Sequence, residues 1–178
     1  MNHKRICRIG IAAALYAVFS VTLKFPLIGN TYLDLGYLVL TVSCFLCAPL
    51  DCALIGAIGC SVVNLCFSPL GFSPSHLVCN LILGGGCALL LQSGACQKLW
   101  AKNKALWLAF CLLGTAAVCA LGIGAKSAME CALYSIPWPV KLPKAVTAFV
   151  LDVTTILLSL PVGILTAGRI KKTSEVYP

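Results

Sequence analysis

Six long apolar runs, parted by short stretches rich in proline, glycine and charge, set the architecture of this chain. They lie near Ile6 to Leu23, Leu35 to Leu50, Cys52 to Phe67, Leu77 to Ser93, Ala105 to Met129 and Ala145 to Gly168. Breakers mark the junctions: Phe25-Pro26 and Gly29-Asn30 after the first run, Pro49 and Asp51 between the second and third, and Ser68-Pro69 through Pro74 after the third. Pro137, Pro139 and Pro143 punctuate the last loop. A helix rising 1.5 Å per residue needs roughly 20 apolar residues to cross the hydrocarbon core of a bilayer. The pattern therefore predicts an all-α integral membrane protein, one transmembrane domain over residues 1–178 built as a bundle of six transmembrane helices. The second, third and fourth runs are short for a perpendicular crossing, which points to local thinning or shelter by neighbouring helices. Lys4, Arg5 and Arg8 give the first run the look of a signal peptide, but five further apolar runs favour a retained helix.

Composition agrees with this reading. Sixty per cent of the 178 residues are apolar and only 10% are charged, too little polar surface to clothe a water-soluble fold. Six crossings use most of the length and leave no room for a separate catalytic or nucleotide-binding domain. The formal charge of +8 is explained by position along the chain and not by a nucleic-acid partner. Nine of the thirteen basic residues form three clusters: Lys4, Arg5 and Arg8; Lys98, Lys102 and Lys104; Arg169, Lys171 and Lys172. Even numbers of crossings separate them, so they share one face, and the basic bias of short cytoplasmic loops makes that face, with both termini, cytoplasmic. Lys24, Lys126, Lys141 and Lys144 lie on or near the opposite side. Twelve cysteines raise metal or redox chemistry, but most fall inside apolar runs, where cysteine acts as a small hydrophobe. The Cys44-Phe45-Leu46-Cys47 pair has no second knuckle to complete a zinc site, and neither metal nor cofactor is expected.

Ionisable groups inside a membrane are costly and face protein or a watery cavity, so their depth is informative. With the termini inside, Asp34 opens the second span at the outer face, Asn64 lies about one turn from the outer end of the third, and Asn80 about one turn into the fourth. Lys126 and Glu130 close the fifth, and Asp152 lies roughly 12 Å into the sixth at 1.5 Å per residue. Hydrogen-bonding groups from separate segments thus reach one level, as a binding pocket requires. Lys126 and Glu130, four apart on one face, also fit a simple pair, and Lys24, Lys141 and Lys144 fit solvated positions. Asp152 has only Phe149, Val150, Leu151 and Val153 around it, which favours a pocket or a bridge to Lys126. Tyr32 and Trp138 fit either aromatic walls or interfacial anchors, and Trp100 suits the inner belt.

Small residues form a second pattern. Ala12, Ala13, Ala14 and Ala17 follow Gly10, and the Ala13-x-x-x-Ala17 pair puts two methyls on one stripe, suited to a close approach either within the chain or by a partner. Gly56, Gly59 and Gly84-Gly85-Gly86 fit internal helix contacts. They are not a phosphate loop, since no Lys-Ser or Lys-Thr follows and no strand precedes.

The basic N-terminus leading into Ala13-Leu15-Tyr16-Ala17-Val18-Phe19 resembles the alanine-rich first helix of the S components of energy-coupling factor (ECF) transporters, six-helix subunits that capture vitamins. Tyr32-Leu33-Asp34-Leu35-Gly36 is similar to the entry to helix two in the riboflavin-type branch. Ala48-Pro49-Leu50-Asp51-Cys52, running on to Gly56 and Gly59, resembles that branch's Gly-Pro turn and glycine-bearing third helix. Three positions depart from the pattern and bear on the substrate rather than the family: Tyr37 where an acid often follows the glycine, Ala48 before the proline, and Cys60 after Gly59. The resemblance implies a substrate-capturing subunit in a bacterial plasma membrane, holding a vitamin-like small molecule near the outer side. It further implies that Ala13 and Ala17 dock on a transmembrane coupling subunit driven by separate ATPases.

On this reading Tyr32, Asp34, Asn64, Asn80, Lys126, Glu130 and Asp152 bind the substrate without covalent chemistry. Lys126 suits an anionic group, Asp152 or Glu130 a donor, and Asn64 and Asn80 ring heteroatoms. A lipid-modifying enzyme would need a nucleophile or paired acids toward the inner headgroups, where Asp51 is the only acid near the inter-span loops. A structural subunit of another complex would leave the outer polar residues replaceable.

Overall fold

The computed structural model describes residues 3–26, 32–67 and 71–176, with side chains described for 3–23, 34–67 and 71–166. Its elements run in the order α1 (His3–Thr22), β1 (Lys24–Pro26), β2 (Tyr32–Asp34), α2 (Gly36–Leu46), α3 (Pro49–Phe67), α4 (Pro74–Gln92), α5 (Gly94–Lys102), α6 (Lys104–Tyr134) and α7 (Trp138–Val176). Helices α1, α3, α4, α6 and α7 are long and apolar enough to cross a membrane, so the chain is a helical membrane bundle. The remaining expected span, α2, has 11 residues, about 16 Å of helix.

Three boundaries differ from the sequence pattern for local reasons. The break between the second and third segments falls at Cys47 and Ala48, because proline at a first helical position has no hydrogen bond to lose, and Pro49 opens α3. Pro139 likewise stands in the first turn of α7, which carries Pro143 and Pro161 within it, so this helix starts at Trp138 and not near Ala145. The basic stretch after α4 forms the short helix α5, capped by Ser93, whose Oγ accepts the Cys96 N–H at 3.2 Å. A two-stranded antiparallel hairpin, pairing Lys24 with Asp34 and Pro26 with Tyr32, was not foreseen either.

Glycine sets the spacing of the bundle. A Cβ on Gly56 of α3 would lie 2.8 Å from the Asn80 carbonyl oxygen of α4, and one on Gly84 of α4 would collide with the Cys52 carbonyl of α3. The pairs 56 with 80 and 52 with 84 make α3 and α4 antiparallel. Gly59 does the same for α1, where a Cβ would lie 2.6 Å from Tyr16 Cδ1. The glycines of α3 and α4 serve internal contacts, as their positions suggested. Cys44, Cys52, Cys111 and Cys119 are completely buried among the helices as small apolar side chains.

One end of the bundle is tied together by charge. Asp51, 1% exposed, accepts Arg5 Nε at 2.7 Å and Arg8 Nη2 at 3.1 Å, locking the start of α1 to the start of α3. Gln92 Nε2 donates to the Cys44 carbonyl at 2.8 Å and to the Cys47 carbonyl at 2.6 Å. It thereby satisfies two of the orphan carbonyls that end α2. The same end carries Lys98, Lys102 and Lys104 around the α5–α6 junction.

Candidate functional site

At the opposite end the helices part around a cavity of about 290 Å³. Tyr16 and Ser20 come from the second half of α1, Asp34 from the end of β2, and Tyr37 from the first turn of α2. Cys60, Val63 and Asn64 come from α3, His76 and Asn80 from α4, Lys126 from α6, and Ala148, Leu151 and Asp152 from α7. The volume lies at the lower end of the range for small-molecule pockets, and the mixture of apolar wall with a few polar groups is typical of them.

Local structure aims these groups. Asp34 Oδ1 accepts the Gly36 N–H at 2.8 Å, an Asx-type turn that starts α2, so one carboxylate oxygen fixes the backbone and the other remains for the cavity. The buried Tyr16 hydroxyl donates to Asn80 Oδ1 at 3.1 Å, and Asn80 Nδ2 donates to the His76 carbonyl at 3.0 Å. One amide proton and one lone pair of Asn80 are left for a ligand. Asn64 Nδ2 points to Cys60 Sγ at 3.4 Å, a weak bond that a ligand acceptor would replace. The Tyr16 and Tyr37 rings meet edge to face, with centroids 6.2 Å apart and planes at 85°, and make a stiff aromatic corner. Among the described residues no ion pair joins Lys126 to Asp152. Both instead face the shared cavity, the first of the two alternatives left open for Asp152.

Five of the seven expected substrate residues, Asp34, Asn64, Asn80, Lys126 and Asp152, therefore come together. The side chain of Tyr32 lies outside the described residues. Glu130 stands apart: it accepts Ser75 Oγ at 3.0 Å and pairs with Lys141, so its carboxylate is spent clasping α4, α6 and α7 together. This corrects both the pairing with Lys126 and the solvated position given to Lys141. Ala13 and Ala17 are corrected as well. They are 2% and 7% exposed and packed inside the bundle, so the internal alternative applies and their methyls offer no outer docking surface. Tyr16, Tyr37 and His76 were missed. For the two tyrosines a signal existed, since a phenol among apolar residues needs a partner for its hydroxyl.

The family model for the S component of ECF-type riboflavin transporters matches residues 1–168. This chain belongs to that family. No curated protein sequence matches it. A solved S component of a bacterial ECF transporter has the same fold, with a TM-score of 0.59 over 97% of this chain and 98% of that one at 15% identity. The S component is thus a substrate-binding, multi-pass membrane subunit of an ECF transporter and not an enzyme. What its own residues supply is a preformed cavity with one cation, two carboxylates and two amides around an aromatic corner.

Proposed function

We propose that this S component captures riboflavin, or a vitamin with the same kind of flat heteroaromatic ring, from the outer side of a bacterial plasma membrane. The observation that carries the reading is the convergence of Asp34, Asn64, Asn80, Lys126 and Asp152, from five separate elements, on one cavity. A flat ring system rests against the Tyr16 and Tyr37 corner. Asp152 accepts from a ring N–H, Lys126 donates to a ring carbonyl or an anionic substituent, and Asn64 reads a neighbouring heteroatom. The paired strands β1 and β2 stand at this end and cover the ligand.

In this proposal both termini are cytoplasmic and α2 is a sixth, short crossing, its inner carbonyls sheltered by Gln92. The three basic clusters support that orientation. Loaded protein docks on a transmembrane coupling subunit, and two ATPases on a separate chain drive the movement that turns the site inward. The docking face on α1 is the one bearing Gly10 and Ala14, both exposed and one turn apart, in place of Ala13 and Ala17.

The test is purification in detergent, mass spectrometry of any co-purifying vitamin, and titration of the emptied protein followed by quenching of flavin fluorescence. A single site for riboflavin is expected. A ligand at 100 times its Kd also adds about 2.7 kcal/mol of apparent stability, readable as a higher Tm. Protein that stays empty and gives no shift with riboflavin or a panel of other ring-bearing vitamins overturns the proposal.

A further inference from the structure

A second concavity, sharing no lining residue with the vitamin cavity, runs along the outside of α1 and α2. It encloses about 620 Å³ and is lined almost wholly by apolar side chains, among them Ile11, Leu15, Leu38, Val42 and Leu46. Ile11 is 64% and Leu15 47% exposed, so the groove opens sideways toward lipid. From Lys4 to Leu15 it extends about 16 Å along α1 at 1.5 Å per residue, roughly half the thickness of a hydrocarbon core. One leaflet, and not the whole bilayer, is the matching dimension.

Its mouth is cationic. Lys4 and Arg8 line the end of the groove, and Arg5 stands beside them on the same turn. Lys4 makes no ion pair among the described residues, whereas Arg5 and Arg8 share the single carboxylate of Asp51. Three cations against one anion leave a local charge of +2. The Arg8 side chain is still 51% exposed while bound to Asp51, and a guanidinium has five N–H donors, more than that bond consumes. A long apolar trough ending in a surplus of positive charge is complementary to one kind of molecule, an acyl chain with an anionic headgroup.

We infer that the α1–α2 groove is a specific site for one anionic glycerophospholipid, with its phosphate held by Lys4 and Arg8 and one acyl chain laid along Ile11, Leu15, Leu38 and Val42. The groove runs from the N-terminal end of α1 up to Leu15 and Leu38, on the outer face of the two helices whose Tyr16 and Tyr37 line the vitamin cavity, and shares no lining residue with that cavity. Lipid occupancy and vitamin binding are therefore separable.

Native mass spectrometry of the intact chain in detergent, titrated with phosphatidylglycerol or with phosphatidylethanolamine of the same acyl chains, tests this. One phosphatidylglycerol is expected to be retained roughly tenfold more tightly than phosphatidylethanolamine, as two cations near an anionic headgroup allow. Glycerol 3-phosphate, a headgroup without chains, is expected not to displace it. Lys4→Gln removes most of the headgroup preference, and Val42→Phe, which fills the trough, weakens both lipids. Should Val42→Phe fail to fold, Ile11→Trp at an exposed position blocks the same trough. Riboflavin titration of each variant stays as in the unaltered chain. Equal retention of the two lipids, displacement by glycerol 3-phosphate, or retention indifferent to Lys4→Gln and to both trough variants overturns the site and leaves only ordinary boundary lipid.

Discussion

Gly56 is where the packing of the bundle and the shape of the cavity meet, and Gly56→Ala tests both. An added methyl would lie 2.8 Å from the Asn80 carbonyl oxygen and 3.4 Å from the Asn80 carbonyl carbon and Leu40 Cδ1. The near partner is backbone, which has no rotamer to escape into, so α4 itself must retreat by a few tenths of an ångström. Overpacking of this kind costs about 1–3 kcal/mol, and a backbone partner belongs at the upper end. Alanine returns about 1 kcal/mol in helix propensity. The net loss of about 2 kcal/mol lowers Tm by about 4–8 °C for a chain of this length. Because Asn80 also receives the Tyr16 hydroxyl, its displacement loosens the cavity and weakens riboflavin by about fivefold, the value of one neutral hydrogen bond. Scanning fluorimetry at one fixed heating rate reads the first effect and flavin quenching the second. Two companions give the contrast. Gly10→Ala, with nothing within 4 Å, gains up to about 1 kcal/mol of propensity and raises Tm. Gly84→Ala, one turn further along α4 and pressed on the Cys52 carbonyl, lowers Tm with affinity preserved. If Gly56→Ala raises Tm as Gly10→Ala does, α3 and α4 are not in backbone contact and the reasoning fails.

Asp152→Asn and Lys126→Gln should each weaken riboflavin by about 10- to 150-fold, the loss of a charge-assisted hydrogen bond of about 1.5–3 kcal/mol, with Tm of the empty protein maintained or raised. Glu130→Gln should do the reverse, lowering Tm by removing the charge that holds Lys141 while flavin quenching titrates near the unaltered Kd; a collapse of affinity there would return Glu130 to the substrate site. Tyr16→Phe strands the buried Asn80 Oδ1 and should cost about 1–3 kcal/mol of stability, seen as a lower midpoint; an unchanged midpoint would mean the bond is not formed. An impermeant amine reagent on intact cells should label Lys144 and spare Lys98 and Lys102, and labelling of Lys98 would invert the proposed orientation.

Depth was legible in the sequence because lipid makes it so. A charge inside hydrocarbon is expensive wherever it stands, so the heights of Asp34, Asn64, Asn80, Lys126 and Asp152 could be read by counting residues from the span ends, and five side chains at one height met in one cavity. Direction around a helix axis carries less information. The pair Ala13 and Ala17 has the spacing of a docking stripe, yet spacing alone gives no side. What turns it inward is the company on the same face: Ala13, Tyr16, Ala17 and Ser20 follow the i, i+3, i+4, i+7 pattern and are all buried. Two hydroxyls on that stripe need shelter from lipid, and they carry the alanines inward with them. Gly10 and Ala14, on a face without such groups, stay outside. Partner choice across a turn was equally hidden. Lys126 is the local partner for Glu130 by spacing, but Ser135 at φ 53° ends α6 in a left-handed cap and the chain returns Lys141 to the carboxylate. The same competition explains Asp51, whose partners Arg5 and Arg8 stand 46 and 43 residues away. A buried carboxylate in lipid recruits cations wherever the bundle brings them, and sequence distance puts no limit on that recruitment. Polar residues in such a chain therefore announce their depth individually and their partners only collectively, once the glycines of α3 and α4 have fixed which helices touch.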